Sequence, residues 1–101
     1  MARFDIYDVI IASRRGYVLD IQADAVADLQ TRVVAPLARI GTVPAVIRDL
    51  NPIFEIDDQR FMMLTQELVT VQKKHLRTVY MSVADRHAEI MRALDILLTG
   101  F

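Results

Sequence analysis

The hydrophobic pattern at the start of the chain predicts an antiparallel hairpin. Residues 4–11 begin with apolar and polar residues in alternation and end apolar, which is typical of a strand with one buried face. A turn signal follows at residues 12–16, and residues 17–22 form a second β-rich segment. Two such segments joined by a short turn predict paired strands.

A second hairpin is predicted over residues 50–65. One apolar segment leads into Asp57 and Asp58, and another leads out of them. Two adjacent carboxylates also suggest acid–base chemistry. Asp tolerates the backbone angles of tight turns, so we interpret the pair as turn residues.

The remaining segments before residue 83 have weaker patterns. Residues 31–38 are β-rich but contain Pro36, which cannot donate a ladder hydrogen bond and so predicts an edge or bulge, in a strand that is distorted or changes its sheet partner. Residues 23–30 are predicted to form a loop, and residues 41–48 have no clear period. A short strand is predicted at residues 68–71.

The period becomes helical from residue 83 onward, because apolar residues recur there at intervals of three and four. Ser82 with Asp85 resembles an N-terminal capping pair, and Gly100 supplies a stop. No strand is predicted after this helix. The expected fold class is therefore α+β, mainly β: an antiparallel sheet with one C-terminal helix. The apolar positions are Val83, Ile90, Met91, Leu94, Leu97 and Leu98.

Composition predicts one domain, residues 1–101, that assembles with a second copy. Hydrophobic residues make up 53% of the chain, which is high for a protein that buries a modest share of its surface. We expect a homodimer whose interface includes the helix and apolar sheet residues, Phe61 and Met63 among them. The chain lacks cysteine, a secretory leader pattern and an apolar run near about 18 residues. The expected location is cytoplasmic, without membrane contact.

The charge balance argues against direct nucleic-acid binding. Twelve Lys and Arg stand against thirteen Asp and Glu, giving a net charge of -1. Arg14 and Arg15 adjoin in a predicted loop. A second basic run, from Lys73 to Arg77, is interpreted as a solvated loop or strand edge, where lysine discourages unwanted strand pairing.

Catalytic and metal-binding motifs are missing from the sequence. It contains no cysteine, only three glycines and no HExxH motif. Asp85, His87 and Glu89 occupy alternate positions of the predicted helix, so they point in different directions and do not gather around one metal. We therefore expect no enzyme activity, catalytic residue, metal or cofactor.

The end of the chain carries an apolar group that has two interpretations. Gly100 is followed by Phe101, and a terminal aromatic is a natural anchor for a partner's pocket. Alternatively, Phe101 folds back onto Ile96 in a Schellman-type contact. The residues alone leave both open.

The chain resembles the CcdB family of bacterial toxin–antitoxin toxins over almost its whole length. The resemblance implies an SH3-like barrel of antiparallel strands with a C-terminal helix, assembled as a symmetric homodimer. It also implies a toxin that binds the DNA gyrase A subunit and traps the cleaved DNA complex. The residues that carry it are Phe4, Tyr7, Ser13-Arg14, Asp20 to Asp24, Pro36-Leu37-Ala38, Pro52, Met63 to Thr65, and the end Thr99-Gly100-Phe101.

The resemblance also implies two sets of site residues. Arg14 and Arg15 are the expected contacts for a cognate antitoxin, whose disordered acidic C-terminal segment folds on binding. The family ends in Trp-Gly-Ile where this chain has Thr99, Gly100 and Phe101, so the stacking tryptophan is absent. The gyrase-binding residues implied are Ala25, Val26, Asp95, Leu98, Thr99, Gly100 and Phe101.

Two alternatives come from other functional classes. The first is a binding protein with the CcdB fold that lacks gyrase activity, binding only an antitoxin or a different target. The second is an endoribonuclease similar to the MazF toxins, whose Gly-x-Glu loop and Arg-Pro strand are absent here.

Overall fold

The computed structural model describes residues 2–11, 13–42 and 45–100. This part of the chain folds into seven antiparallel strands followed by one α-helix, which confirms the expected fold class. Short 3-10 turns connect several elements, among them Asp24–Val26 and Ala84–Arg86. The strands are β1 (Asp5–Ile11), β2 (Arg14–Asp20), β3 (Thr31–Arg39), β4 (Ile53–Ile56), β5 (Gln59–Met63), β6 (Val69–Gln72) and β7 (Thr78–Ser82), and the helix is α1 (His87–Thr99).

Strand β3 is the centre of the sheet, so the predicted edge position for Pro36 is wrong. The strand order is β4-β5-β3-β2-β1-β7, and β6 also pairs with β3. On the side away from β2, β3 pairs with β6 through its first half and with β5 through its second half. The Pro36 carbonyl accepts a hydrogen bond from the Leu64 N–H at 2.8 Å. The missing N–H of Pro36 faces the same side, where the neighbouring strand is interrupted, so the predicted change of partner is confirmed.

Both predicted hairpins form, with one correction. Strand β2 begins at Arg14, so Arg14 and Arg15 lie in a strand opposite Ile11 and Ile10 and not in a loop. In the central hairpin, Asp57 and Asp58 have φ values of 52° and 63°. Two successive positive φ angles define the type I′ turn that joins two-residue hairpins, which confirms the interpretation as turn residues.

Strand β7, which the sequence analysis did not predict, helps to curl the sheet. It pairs with β1 at one end of the strand order, whereas β4 and β5 lie at the other end. The Tyr80 hydroxyl on β7 nevertheless donates a hydrogen bond to the Asp57 carboxylate in the turn between β4 and β5. The Tyr17 ring lies 5.3 Å from the rings of both Tyr80 and Phe61. The two ends of the sheet therefore approach each other in a half-barrel.

The larger core lies between one face of the sheet and α1. Ile90, Ala93 and Leu94 are the buried helix residues, so the predicted apolar stripe is confirmed at Ile90 and Leu94, whereas Leu97 and Leu98 are exposed. Phe61 and Met63 also belong to this core, so they are buried within the protomer and are not available to a dimer interface as we expected. The opposite face carries a smaller core of Tyr7, Val9, Val18, Val34 and Leu76.

The helix begins later than the hydrophobic period suggests, because the 3-10 turn at Ala84–Arg86 precedes it. The Ser82 hydroxyl accepts a hydrogen bond from the Ala84 N–H at 3.3 Å, but the N-cap residue of this turn is Val83, which makes no side-chain cap bond, so the predicted capping pair of Ser82 and Asp85 is wrong. At the other end, Gly100 has φ 82° and its N–H donates to the Ile96 carbonyl at 3.0 Å. Gly100 is thus the predicted stop, in the left-handed conformation that glycine adopts readily.

Candidate partner-binding surface

A buried ion pair lies at the base of the loop between β2 and β3. Asp20 and Arg32 are fully buried, and Arg32 donates from Nε at 3.0 Å and from Nη2 at 2.5 Å to Asp20 Oδ2. Burial raises the pKa of the Asp20 carboxyl, and the hydrogen bonds from Arg32 oppose that shift. Gln22 reinforces the base of the loop: its N–H donates to Asp20, and its side-chain oxygen accepts from the Val33 N–H at 3.0 Å.

The tip of this loop presents apolar side chains to solvent. Ala25 and Val26, two of the predicted gyrase contacts, lie in the 3-10 turn Asp24–Val26, and Val26 is 45% exposed. Leu29, three residues further along, is 53% exposed and was missed by the sequence analysis. Its only signal in the sequence is a leucine inside a segment without an amphipathic period. We call residues 24–29 the recognition loop.

The last turn of α1 forms a second exposed apolar surface. Leu98 is 73% exposed, while Asp95 and Thr99 are also on the surface. The Thr99 hydroxyl donates to the Asp95 carbonyl at 2.6 Å, one turn back, so it is occupied within the helix. Phe101 lies outside the described residues, so neither interpretation of its ring is tested by the structure.

The recognition loop and α1 are connected through Arg3. The Arg3 N–H donates to Asp24 Oδ1 at 2.9 Å, at the start of the loop. The Arg3 side chain donates to the Ile21 carbonyl at 3.0 Å and to the Met91 sulfur on α1 at 3.3 Å. Within the described residues, no hydrogen bond joins the loop directly to the last helical turn. The two halves of the predicted site are thus linked indirectly.

The predicted antitoxin-binding residues lie on β2 beside a shallow groove. The Arg15 guanidinium donates hydrogen bonds to both carboxylate oxygens of Asp8 on the neighbouring strand, with Nη2 2.5 Å from Oδ2. The Arg15 side chain is nevertheless 78% exposed. These hydrogen bonds hold the pKa of the Asp8 carboxyl below its usual range. Arg14 is exposed. The groove has a volume of about 180 Å³ and is lined by Val9, Arg14, Arg15, Gly16, Tyr17, Val18, Pro36 and Leu37.

A second groove, of about 330 Å³, lies between α1 and the segment before β4, and no pattern in the sequence predicts it. Two of its three arginines, Arg86 and Arg92, have carboxylate neighbours. Arg86 donates to both oxygens of Glu89, lowering the pKa of Glu89, and Arg92 lies 3.4 Å from Asp49. The groove forms because the segment before β4 packs near α1, and the contact between Arg92 and Asp49 joins the two. The lining consists of Val46, Arg48, Asp49, Asn51, Pro52, Ile53, Arg86, Glu89 and Arg92.

Two tyrosines have strongly shifted pKa values. Burial raises the pKa of Tyr7 to about 12, and the hydrogen bond to Asp57 raises that of Tyr80 to about 12. Residues 2–11, 13–42 and 45–100 contain no group of three or more His, Cys, Asp or Glu side chains placed to hold a metal ion. His87 lies on the surface, where its Nδ1 is 3.0 Å from the Ala84 carbonyl. In the same ranges, no helix is long and apolar enough to cross a membrane.

Comparison with known proteins gives one family and a set of similar folds. The family model described as CcdB protein matches residues 3–100. A structure titled as an endoribonuclease in complex with its cognate antitoxin, from a mycobacterial species, superposes with a TM-score of 0.77 at 15% identity, covering 97% of this chain and 94% of the other. The Mycobacterium tuberculosis toxin MazF-mt6 superposes with a TM-score of 0.72 at 16% identity, covering 92% and 94%. At these identities the two structures support the fold alone.

Proposed function

Because the chain belongs to the CcdB family of toxin–antitoxin toxins, we propose that it binds the DNA gyrase A subunit and traps the cleaved DNA complex without chemistry of its own. The observation that carries the proposal is the family match over residues 3–100, together with exposed apolar side chains at the positions that the family uses. Val26 and Leu98 are the largest of these within the described residues.

Binding through these positions is physically reasonable. A leucine that is mostly exposed in the free protein gains free energy when a partner covers it, at roughly 25 cal/mol per Å² of apolar area. Gly100 ends the helix in the left-handed conformation, so the helical path of the backbone does not continue beyond it. The missing family tryptophan at Thr99 removes one anchor, and losing an anchor of this kind costs about 2 kcal/mol or more. We therefore propose weaker gyrase binding than a tryptophan at this position would give.

The decisive experiment measures gyrase-dependent DNA cleavage with the purified protein. The variants are Leu98→Ser, a form without residues 100–101, and Thr99→Trp. Ile10→Ser is the matched control, because Ile10 is 75% exposed on β1 and Leu98 is 73% exposed on α1. We expect Leu98→Ser and the truncation to lower trapped cleavage by at least tenfold, Ile10→Ser to leave it unchanged and Thr99→Trp to increase it.

Other outcomes separate the alternatives. Trapping by Thr99→Trp alone would mean that this chain has a different target or none. If no variant traps cleavage, the gyrase proposal is wrong. The structural similarity to an endoribonuclease motivates an RNA arm: specific cleavage of RNA by the wild-type protein would overturn a non-enzymatic mechanism.

Neutralisation is proposed to occur at Arg14 and Arg15. The groove beside them is lined by apolar residues together with the two arginines, which suits an acidic segment with apolar residues. Arg14→Glu should weaken binding of the cognate antitoxin by more than tenfold. Arg15→Glu is measured separately, since it also places a carboxylate beside Asp8. Lys74→Glu is the control, and a larger loss there would move the site to the second basic run.

A homodimer is also proposed. With Phe61 and Met63 inside the protomer, the exposed apolar candidates for the interface are Val79 and Tyr80 on β7 and Leu97 on α1. Light scattering at micromolar concentration should give twice the chain mass of 11.5 kDa. A mass that stays at the single-chain value would contradict the proposal.

A further inference from the structure

Two side chains donate hydrogen bonds into the recognition loop, and a third, that of Arg3, donates to its base at Ile21 while the Arg3 main-chain N–H donates to Asp24. Arg3 reaches it from the N-terminal segment, Gln22 from its own first stem and Lys73 from the 3-10 turn Lys73–His75 after β6. Lys73 is 46 positions distant from its acceptor in the loop, so the contact depends on the fold and not on local sequence.

Each of the three satisfies a backbone group in or beside the loop. Lys73 Nζ donates to the Ala27 carbonyl at 2.9 Å, and Gln22 Nε2 donates to the Val26 carbonyl at 3.0 Å. The Arg3 guanidinium donates to the Ile21 carbonyl at 3.0 Å while it also contacts α1 through Met91. The Val26 carbonyl also accepts from the Leu29 N–H at 3.3 Å, whereas the Ala27 carbonyl accepts from the Lys73 ammonium, and a hydrogen bond with a charged donor is stronger than a neutral one.

The loop itself has little to hold it in place. None of the residues in the turn Asp24–Val26 is buried, and Leu29 is exposed. Its backbone bonds run from the N–H groups of Val26, Ala27 and Leu29 to the carbonyls of Ala23, Asp24 and Val26, at 3.1, 3.0 and 3.3 Å. A loop without buried side chains samples many conformations unless its backbone is fixed.

We propose that Arg3 and Lys73 are positioning residues, which fix the recognition loop in the conformation that presents Val26 and Leu29 to the partner. The proposal rests on the proposed function for the identity of the partner, and on the contacts above for the ordering of the loop. Fixing the loop before binding lowers the entropy lost in the complex, so the two cations raise affinity without contacting the partner themselves.

The experiment combines two readouts on the full chain. Hydrogen exchange at the amides of Val26, Ala27 and Leu29 reports the order of the loop. Binding to a purified gyrase A fragment reports the consequence. The variants are Arg3→Met and Lys73→Met, which keep an apolar stem and remove the charged donors. Lys73→Arg is the conservative variant, and Lys74→Met is the matched control, since Lys74 is exposed on the same turn.

We expect Lys73→Met and Arg3→Met each to speed loop exchange about tenfold and to weaken binding by a similar factor, the change that one lost charge-assisted hydrogen bond produces. Exchange at core amides such as those of Ile6 and Leu19 should stay slow, which excludes general unfolding. Lys73→Arg should restore both readouts, and Lys74→Met should change neither.

Two results would overturn the proposal: unchanged loop exchange in both variants, or faster exchange with unchanged affinity for the fragment. If the wild-type protein does not bind the fragment, the proposed function fails. The exchange data then still decide whether the two cations order the loop, with faster exchange supporting that role and unchanged exchange refuting it.

Discussion

Removing the Arg32 side chain should destabilise the protein strongly, because it leaves a buried carboxylate. Asp20 and Arg32 are both fully buried, and two of the donors to Asp20 come from Arg32. In Arg32→Met, the remaining donor is the Gln22 N–H at 3.1 Å. Breaking one partner of a buried pair costs about 3 to 5 kcal/mol. Since the hydrogen bond from Gln22 remains, we expect Arg32→Met to lower the free energy of unfolding by about 3 kcal/mol, the lower end of this range.

The assay is urea unfolding. With a slope of about 1.5 kcal/mol per molar for a chain of this size, a loss of about 3 kcal/mol lowers the midpoint by about 2 M. The control is the double variant Asp20→Leu with Arg32→Met, which replaces the pair with apolar side chains. It should recover stability to within about 1 kcal/mol of the wild type, since no charge remains buried.

The pH dependence provides a further check. Burial already raises the pKa of Asp20, and Arg32→Met removes the group that opposes this shift. When the pKa of a carboxyl group is higher in the folded state, the folded protein binds the proton more tightly than the unfolded chain does. The penalty in Arg32→Met should therefore be small below the unfolded pKa of about 4 and should grow as the pH rises toward neutrality. A single-variant loss under about 1 kcal/mol at pH 7 would refute the reasoning.

Three other substitutions or conditions have defined outcomes. Because the folded pKa values of Tyr7 and Tyr80 are about 12, stability should fall as the pH rises from about 10 to about 12, and Tyr80→Phe should reduce the slope of urea midpoint against pH. Asp58→Gly should raise the free energy of unfolding by about 0.5 kcal/mol, since φ is 63° there, whereas an unchanged or lower midpoint would contradict the turn assignment. Asn51→Ala should cost about 2 kcal/mol by thermal unfolding, because the buried Asn51 amide satisfies backbone groups at Ile47 and Met63.

Strand β1 could be predicted from the sequence, and strand β7 could not. The alternation at the start of β1 suggested one buried face, but both faces are buried: Ile6 belongs to the larger core and Tyr7 to the smaller one. In β7 no residue is fully buried, so burial imposes no alternation on its sequence. Its pairing with β1 and the contact between Tyr80 and Asp57 define the strand, and both are contacts between distant segments.

The candidate site divides in the same way. The exposed residues Val26 and Leu98 were identified through the family resemblance, because they follow recognisable elements along the chain. The framework that supports the loop was not identified. Arg32 and Lys73 are charged residues in β-rich or basic segments, and such residues are usually on the surface. That one of them is buried against Asp20 and the other reaches Ala27 follows only from the packing of β2, β3 and the turn after β6.

Several groups with shifted pKa values hold segments of the fold together. Hydrogen bonds from Arg15 lower the pKa of Asp8 and join β1 to β2. The hydrogen bond to Asp57 raises the pKa of Tyr80 to about 12 and joins β7 to the turn between β4 and β5. Burial raises the pKa of Asp20, which pairs with Arg32 at the base of the loop. These polar groups have partners within the fold, whereas the side chains of Val26 and Leu98 are exposed, and for that reason the binding proposal rests on the two apolar residues.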